Sequence, residues 1–253
     1  MKRRKMLLLS SSITKMNSNY LMYAQTEITE FLKKSHVIKV LFIPYALMDY
    51  DLYADKVRPT FNQFGFELES IHRHKNAERA LVEADAIYIG GGNTFLLLKK
   101  LHDMHLIKPI RNLVLIHGIP FLGSSAGTNV ATVNICTTND MPIVHPPSLD
   151  ALNLIPFNIN PHYVEIRKGV CHTGETRDER IQQYLQLPRT PPVVGLREGA
   201  ILKVEANSIT ILGVNGARVF RAKSRPFDFS PGDDVSFLME PSDFTLSQHR
   251  SYS

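Results

Sequence analysis

The first half of the chain alternates between short apolar runs and longer segments that carry apolar residues at helical spacing. The apolar or alternating runs are Lys5–Ser10, Ile38–Pro44, Glu67–His72, Ala86–Ile89 and Ile119–Gly123. The helical segments between them are Thr26–Lys34, Asp51–Phe64, Asn76–Ala84, Thr94–Met104 and Ile107–His117. Continuous apolar runs are typical of parallel strands covered on both faces, and regular strand–helix alternation indicates βαβ units with right-handed crossovers. The pattern predicts a three-layer α/β sandwich with a mostly parallel central sheet.

The second half is less regular, and its elements are predicted from shorter patterns. Asn134–Asp150 is expected to be a long loop or short strands, and Leu152–Ile159 a strand that ends at Asn160-Pro161-His162. A helix and three β-like runs follow: Arg177–Leu187, Pro192–Leu196, Ala200–Glu205 and Ser208–Val214, the last two forming a hairpin around Ala206-Asn207. We expect a single domain over residues 1–230 and a C-terminal extension over 231–253, frayed from Pro241 onward.

Composition narrows the class of protein without adding a site. The 253 residues are 43% hydrophobic and 21% charged, which suits one folded domain. The formal net charge is +5, but only Lys2–Lys5 forms a cationic run, so no nucleic-acid partner is expected. No stretch approaches the roughly 20 apolar residues of a membrane span, and the apolar core of Met1–Ser12 is too short for a signal peptide. Two cysteines favour the reducing cytoplasm over a secreted disulfide scaffold.

A candidate nucleophile lies in Gly123-Ser124-Ser125-Ala126-Gly127, between an apolar run and a helix expected to continue to about Val133. The segment fits G-x-S-x-G, the nucleophile elbow, a sharp strand-to-helix turn that exposes the serine hydroxyl. In such a turn the N–H of Ala126 points to where a substrate oxyanion forms, and the helix N-terminus adds partial positive charge. The alternative is a plain Gly/Ser turn, so Ser125 needs partners.

Gly90-Gly91-Gly92-Asn93 follows another buried run and precedes a helix. Glycines let the backbone approach a ligand closely, so the N–H of Gly91 or Gly92 could supply a second oxyanion donor. A phosphate or dinucleotide loop is a rival interpretation, but G-x-G-x-x-G and the P-loop lysine are absent. A tight turn needed only for packing is the third. With the elbow downstream, we favour the oxyanion role.

Candidates for the base and the acid of a serine mechanism are selected by their position relative to the predicted strands. Of the 10 histidines, His162 lies at the predicted end of a strand, the edge where active sites of open α/β sheets lie, and His145 is the second choice. A lone histidine at a strand end more often has a structural role, so His162 is chosen only because Ser125 requires a base. The orienting carboxylate is either Glu198 or Asp140, and spacing does not decide between them.

A polar segment before the last predicted helix carries a candidate substrate-binding residue. Thr176 and Glu179 form a capping box. Arg177 lies between them, and its guanidinium could grip a carboxylate bidentately.

Taken together, these segments resemble the motifs of serine peptidase family S51, a family of α-aspartyl dipeptidases. The matching segments are Ile89–Thr94, Gly123–Gly127, Thr137–Ile143, Asn160–His162 and Gly174–Arg177, in this order. The resemblance covers roughly Lys5 to Arg221. It implies an α/β domain of the class I glutamine amidotransferase type, which is flavodoxin-like, with serine in place of cysteine. It also implies hydrolysis of Asp-X dipeptides by a monomer or homodimer, without a metal or cofactor.

The resemblance also implies roles for single residues. The family's serine and histidine fall on Ser125 and His162, and its aspartate-recognising arginine falls on Arg177. Its third triad member is described as a glutamate, which falls on Glu198, although the aspartate at Asp140 has also been named. Asn93 and Glu175 lie in matching motifs and are expected to contact the substrate; Asp140 or Glu175 would accept the free α-amino group. One departure is Ser124, where the family often has a bulky residue.

Three other functions stay open. An α/β-hydrolase-type esterase shares the elbow, and Ser125, Asp140 and His162 would satisfy its Ser…Asp…His order. A cyanophycinase-like enzyme would cut β-aspartyl-arginine bonds with the same apparatus. A catalytically silent relative would bind an acidic metabolite.

Overall fold

A computed structural model describes residues 3–165 and 174–240. The strands of these residues are β1 (Lys5–Leu9), β2 (Lys39–Ile43), β3 (Glu67–Ser70), β4 (Ala86–Ile89), β5 (Phe121–Ser124), β6 (Asn158–Tyr163), β7 (Val193–Arg197), β8 (Ala200–Glu205), β9 (Ser208–Gly213), β10 (Ala217–Phe220) and β11 (Phe227–Phe229). The α-helices are α1 (Gln25–Lys34), α2 (Tyr50–Phe64), α3 (Ala77–Val82), α4 (Thr94–Asp103), α5 (Ile107–Asn112), α6 (Ala126–Asn129) and α7 (Arg177–Leu185). Short 3₁₀ turns cover Met22–Ala24, Ile71–Arg73 and Ser236–Met239, and a π turn covers Leu113–His117.

The central sheet has seven strands in the order β3-β2-β4-β5-β1-β8-β9. The five strands from β3 to β1 are parallel, and β8 and β9 extend the sheet as an antiparallel hairpin. This confirms the predicted mostly parallel sheet. The hairpin closes with Glu205 opposite Ser208, which places the turn at the predicted Ala206-Asn207. Carboxyl ends of the parallel strands meet at one edge, and β4, β5 and β1 lie side by side there.

A second sheet, which the sequence pattern did not predict as a separate unit, has the order β11-β10-β7-β6. β6 and β7 are parallel, β10 pairs antiparallel with β7, and β11 pairs antiparallel with β10. The register between β6 and β7 shifts between Asn160 and Tyr163, so β6 carries a bulge just where the Asn160-Pro161-His162 segment lies.

Apolar side chains on both faces of the central sheet form two large core clusters. One face packs against α1 and α2, with Phe31, Val57 and Phe61 buried. The other face packs against α4, α5 and the inner face of the second sheet, as shown by Leu97, Ile110 and Val194. A smaller cluster between α7 and the outer face of the second sheet includes Ile181 and Leu185. The layers are therefore helices, central sheet, and a mixed layer that holds the second sheet.

The predicted strand Leu152–Ile159 was wrong over residues 152–157. The N–H groups of Leu152, Asn153 and Leu154 donate to the carbonyls of Val130, Thr132 and Ala131, and these residues therefore form no sheet ladder. Strand β6 begins only at Asn158 and continues through His162, which was expected to follow the strand rather than to belong to it.

Helix α6 is also shorter than the predicted helix to about Val133. It ends at Asn129, because Ala131 and Thr132 donate to Thr128 and Asn129 three residues back, and the Thr132 hydroxyl takes a second bond to the Asn129 carbonyl. This tightening frees the Val130–Thr132 carbonyls for the segment that leads into β6.

Part of the proposed C-terminal extension packs on the domain. Val235 and Leu238 are buried in the main core cluster, and Thr210 of β9 forms an isolated bridge with Asp234. The expected frayed end from Pro241 onward lies outside the described residues.

No helix of the described residues is both long and apolar enough to cross a membrane.

Candidate active site

The elbow at Ser125 has the strained backbone that this turn requires. Ser125 adopts φ 52° and ψ −110° between β5 and α6, a conformation that costs free energy for a residue with a side chain. Its N–H donates to the Leu9 carbonyl of β1 at 3.1 Å, which ties the turn to the neighbouring strand. The side chain is half-buried at the carboxyl edge of the parallel strands, within reach of a ligand.

Both elbow glycines are needed for close backbone packing. A Cβ on Gly127 would lie 2.0 Å from the Ile89 carbonyl oxygen of β4, and one on Gly123 would lie 2.7 Å from the Gly127 carbonyl oxygen. Neither contact can be relieved by a side-chain movement. The G-x-S-x-G spacing is thus explained by the passage of α6 directly over the strand ends.

The structure brings His162 to Ser125. The Ser125 Oγ and His162 Nε2 lie 2.8 Å apart. His162 has φ 53° in the bulge of β6, and this left-handed conformation turns its side chain out of the strand toward the elbow. The runner-up base, His145, lies exposed in the loop between α6 and β6.

Glu198, which follows β7, contacts the other ring nitrogen of His162. The His162 Nδ1 and Glu198 Oε1 lie 3.2 Å apart. An ionised carboxylate can only accept, so Nδ1 carries the proton, Nε2 accepts, and the Ser125 hydroxyl donates to it. The His162 and Glu198 side chains are 39% and 36% exposed, so the base is open to a substrate.

Asp140 lies elsewhere. Its Oδ2 accepts from the Thr94 backbone N–H at 2.7 Å and from the Thr94 hydroxyl at 2.6 Å, at the N-terminus of α4. The structure thus brings Glu198 rather than Asp140 to the histidine, and the Ser125–Asp140–His162 arrangement of an esterase is not assembled.

Ser10, at the end of β1, holds His162 in place, and sequence reasoning missed it. Its buried Oγ accepts from the His162 backbone N–H at 2.9 Å and donates to the Leu196 carbonyl of β7 at 2.7 Å. One hydroxyl therefore connects the central sheet to both strands that carry the base and the acid. The available signal was its position in Ser10-Ser11-Ser12, directly after a buried strand.

Three backbone N–H groups of the Gly90–Asn93 loop and the elbow have no acceptor among the described residues. The N–H groups of Gly91, Gly92 and Ala126 find no acceptor within residues 3–165 and 174–240. A Cβ on Gly91 would lie 3.1 Å from the Ser125 Cβ and 3.6 Å from its Oγ. The segment Gly90–Asn93, here called the glycine loop, therefore lies against Ser125. The loop and the elbow can therefore offer donors to the same carbonyl oxygen from two sides.

A cavity of about 190 Å³ lies beside β6, and its lining includes Thr137, Asn139, Asp140, Asn160, Arg177 and Arg180. It is connected to His162 through the Asn139 side chain, which donates to the Pro161 carbonyl at 2.6 Å. This volume suits one amino-acid residue better than a drug-sized ligand. A wider cleft of about 1170 Å³, near Arg189 and Arg221, contains none of the candidate residues.

Two groups in this cavity lack partners. Arg177 makes no hydrogen bond or ion pair with the described residues, and burial together with the neighbouring Arg180 lowers the pKa of its guanidinium. The buried Asn160 Oδ1 also has no partner in the described part of the chain, although the Asn160 Nδ2 donates to Thr137 and Asn139. An unpaired cation beside an unused acceptor suits a ligand that brings both a carboxylate and a donor.

The other two predicted substrate contacts are engaged in the fold. The Asn93 Oδ1 caps α4 at Leu96, and its Nδ2 donates to the Met141 carbonyl at 2.8 Å. Glu175 accepts from Gln183 at 2.7 Å and lies 3.6 Å from Arg180, on the exposed side of α7. Neither lines the cavity.

Comparison with known proteins supplies the family. A model of Peptidase family S51 matches residues 6–212. A protein of Drosophila melanogaster named as a probable alpha-aspartyl dipeptidase is 47% identical over 237 residues, covering 94% of this chain and 98% of its own. A peptidase E of Nostoc sp. is 42% identical over 245 residues, covering 95% and 99%.

Among solved structures, a peptidase from an acI-B1 Actinobacterium superposes with a TM-score of 0.69 over 93% of this chain and 98% of its own. At 17% sequence identity, this likeness speaks for the α/β fold.

Proposed function

Since the chain belongs to peptidase family S51, we propose that it is a serine dipeptidase that hydrolyses dipeptides with an N-terminal aspartate. The observation that supports the serine mechanism is the hydrogen-bonded series Ser125–His162–Glu198. The nearby cavity is lined by Asn160, two residues before His162, and by Arg177, whose side chain has no partner among the described residues. The names of the relatives, an alpha-aspartyl dipeptidase and a peptidase E, support the substrate class.

Acylation begins when the Ser125 Oγ attacks the peptide carbonyl and its proton passes to His162 Nε2. The Glu198 carboxylate holds the Nδ1 proton and stabilises the imidazolium. The developing oxyanion accepts from the Ala126 N–H and from the N–H of Gly91 or Gly92, which have no other acceptor. His162 then protonates the leaving amine, so the C–N bond breaks and the aspartyl group stays on Ser125 as an ester.

Deacylation repeats these steps with water as the nucleophile. His162 takes a proton from water, the hydroxide attacks the ester carbonyl, and the Ser125 Oγ leaves with the proton from Nε2. The products are aspartate and a second amino acid, and the three side chains return to their starting protonation states.

The cavity supports selection of an acidic first residue. The Arg177 guanidinium would pair with the aspartyl carboxylate, and the two are matched for bidentate hydrogen bonds. The free α-ammonium needs acceptors, and we assign it to the Asn160 Oδ1 and the Asp140 carboxylate, which line the same cavity. We further propose that the enzyme acts on free dipeptides in the cytoplasm, as a monomer or homodimer.

A panel of dipeptides that differ only in the first residue tests this proposal. Asp-Leu should be hydrolysed at least about 100-fold more efficiently in kcat/KM than Asn-Leu or Ala-Leu, because only aspartate pairs with Arg177. Including β-Asp-Arg tests the cyanophycinase-like alternative, and a nitrophenyl ester tests the esterase. Equal turnover of Asp-Leu and Ala-Leu would contradict the assigned specificity.

Variants of α7 test the recognition step by itself. Arg177→Ala should reduce the Asp-Leu to Ala-Leu preference by roughly 100-fold, since a partly buried charge pair is lost. Arg180→Ala is the comparison: Arg180 also lines the cavity, but it is exposed and lies 3.6 Å from Glu175, so its loss should reduce the preference much less. An unchanged preference in Arg177→Ala, or an equal loss in both variants, would refute the role of Arg177.

A further inference from the structure

Behind the nucleophile lies a continuous series of four hydroxyl groups. The Ser124 Oγ is 2.9 Å from the Tyr88 hydroxyl, which is 2.6 Å from the Tyr20 hydroxyl. The Tyr20 hydroxyl is 3.2 Å from the Tyr53 hydroxyl, and Tyr53 donates to the Gly91 carbonyl at 3.0 Å. We call this series the hydroxyl chain. It begins at the residue before the nucleophile and ends on the glycine loop.

The terminal carbonyl fixes the direction of every bond in the hydroxyl chain. A carbonyl oxygen only accepts, so the single Tyr53 proton is committed to Gly91. Tyr53 must then accept from Tyr20, Tyr20 from Tyr88, and Tyr88 from Ser124. Hydrogen bonds aligned in this way polarise one another and strengthen the last donor.

Burial keeps the hydroxyl chain protonated and neutral. It raises the pKa of Tyr53 to about 12 and the pKa of Tyr88 well above its ordinary value. Tyr88 and Ser124 are completely buried, and Tyr53 is 5% exposed. The hydroxyl chain therefore does not exchange protons with solvent near neutral pH. We consider instead its effect on the geometry of the glycine loop.

The bond to Gly91 acts on the same peptide unit as a proposed oxyanion donor. The Gly91 carbonyl and the Gly92 N–H belong to one planar trans peptide, so they point in opposite directions. A carbonyl held toward Tyr53 directs the Gly92 N–H away from Tyr53, and Gly91, which carries this carbonyl, lies beside Ser125. Tyr53 also fills the space under Gly90, where a Cβ would lie 2.3 Å from its hydroxyl oxygen.

We propose that Tyr53 is a positioning residue that aims the Gly92 N–H at the substrate oxyanion. In this proposal Tyr20, Tyr88 and Ser124 support Tyr53 by holding the glycine loop at a fixed position relative to the elbow. This inference deepens the proposed serine mechanism and rests on Ser125 being the nucleophile. It adds residues that contact neither substrate nor reacting atoms.

The test is Tyr53→Phe, which removes one oxygen and keeps the ring. Two readouts are needed: kcat and KM for Asp-Leu, and the second-order rate of Ser125 labelling by a fluorophosphonate. Because complete loss of an oxyanion donor costs at least about 100-fold, a donor that is only misaimed should cost about tenfold in kcat and in labelling rate. KM and the affinity for aspartate should stay unchanged, since the cavity with Arg177 is untouched.

The matched control is Tyr45→Phe. Tyr45 is 1% exposed and its hydroxyl has no partner within residues 3–165 and 174–240, so the substitution removes a buried hydroxyl outside the hydroxyl chain. Its kcat and labelling rate should equal those of the wild type. Ser124→Ala, at the start of the series, should lower the labelling rate about twofold to threefold, and it decides the question if Tyr53→Phe does not fold.

Each outcome bears on the proposal. Wild-type labelling by folded Tyr53→Phe, or an equal loss in Tyr45→Phe, overturns it, as does a change in KM without a change in kcat. If the wild type is labelled at Ser125 but does not cleave Asp-Leu, the proposed substrate fails while the labelling comparison still tests the hydroxyl chain.

Discussion

The two sheets of this protein contribute different halves of the candidate active site. The central sheet supplies the proposed nucleophile Ser125 and the proposed oxyanion donors, all at the ends of β4 and β5. The second sheet supplies the proposed base His162 on β6 and the proposed acid Glu198 after β7. The first half depends on backbone packing that admits only glycine, and the second depends on side chains presented from a bulge.

This division between the two sheets means that the geometry of the site depends on the hydrogen bonds that join them. Ser10 bonds the end of β1 to both His162 and Leu196. Asn129, at the end of α6, donates to the Ile159 carbonyl of β6 at 2.7 Å. Both contacts are buried and lie within a few residues of the triad, so an error in sheet docking would separate the serine from its base.

The largest expected effect comes from removing the contribution of the central sheet. Ser125→Ala should lower kcat/KM for Asp-Leu by about 10⁴-fold or more, since a serine triad acts as a unit. The melting temperature should stay near that of the wild type, or rise, because alanine at this strained position removes a hydroxyl and little packing. Turnover retained by purified Ser125→Ala would show that another group is the nucleophile.

Next comes the acid contributed by the second sheet. Glu198→Gln should lower kcat by roughly 10³- to 10⁴-fold, because an amide cannot stabilise the imidazolium. Asp140→Asn serves as the comparison: its oxygen can still accept from Thr94, so kcat should change little while KM rises through weaker ammonium binding. The opposite ranking of the two kcat values would exchange the assigned roles.

Cutting the connection between the sheets should have an intermediate effect. Ser10→Ala leaves the His162 N–H and the Leu196 carbonyl without a partner, which costs about 1–3 kcal/mol of unfolding free energy. We expect kcat to fall by about tenfold or more while KM is retained. Ser11→Ala is the control and should retain kcat, because it loses a 3.4 Å contact from the Gly199 N–H and a side-chain interaction with Tyr23 but no contact with His162. Equal kcat values for the two variants would argue against a role of Ser10 in joining the two sheets at the site.

The smallest effect is expected at the outer edge of the second sheet, where Arg218 pairs with Asp228 at 2.6 Å. Arg218 lowers the pKa of Asp228, so the stabilisation is present above the ordinary carboxyl pKa and is lost as pH falls through the lower folded value. Because Asp228 is exposed, Asp228→Asn should cost less than about 1 kcal/mol at pH 7. Thermal melts of both proteins from pH 7 to pH 3 should converge at the acid end, and a constant difference would contradict this assignment.

Sequence patterns predicted the central sheet better than the second sheet for a physical reason. Strands such as β2 and β4 are buried on both faces, so the sequence must be apolar throughout, and the elbow requires glycine at fixed spacing. β6 carries Asn158, Asn160 and His162 and begins where the chain stops bonding to the Val130–Thr132 carbonyls, which depends on long-range contacts. The pattern of apolar residues along the sequence therefore cannot predict the residue at which β6 begins.

The same limit applies to the site. Glu198 and Asp140 were equally plausible acids from spacing, because each follows a different element and only the packing of the two sheets brings one of them to His162. The partners of Asn93 and Glu175 were likewise invisible, since capping of α4 and pairing on α7 are set by geometry. The hydroxyl chain joins residues up to 104 positions apart and has no local signature.

The central claim is that Ser125 and His162, from different sheets, act together as nucleophile and base. Its most direct test is to treat the wild type and His162→Gln with a fluorophosphonate and to map the adduct by mass spectrometry. The wild type should carry one adduct, on the peptide that contains Ser125, and His162→Gln should be labelled at least about 100-fold more slowly. An adduct on another residue, or wild-type labelling of Ser125 in His162→Gln, would contradict the account.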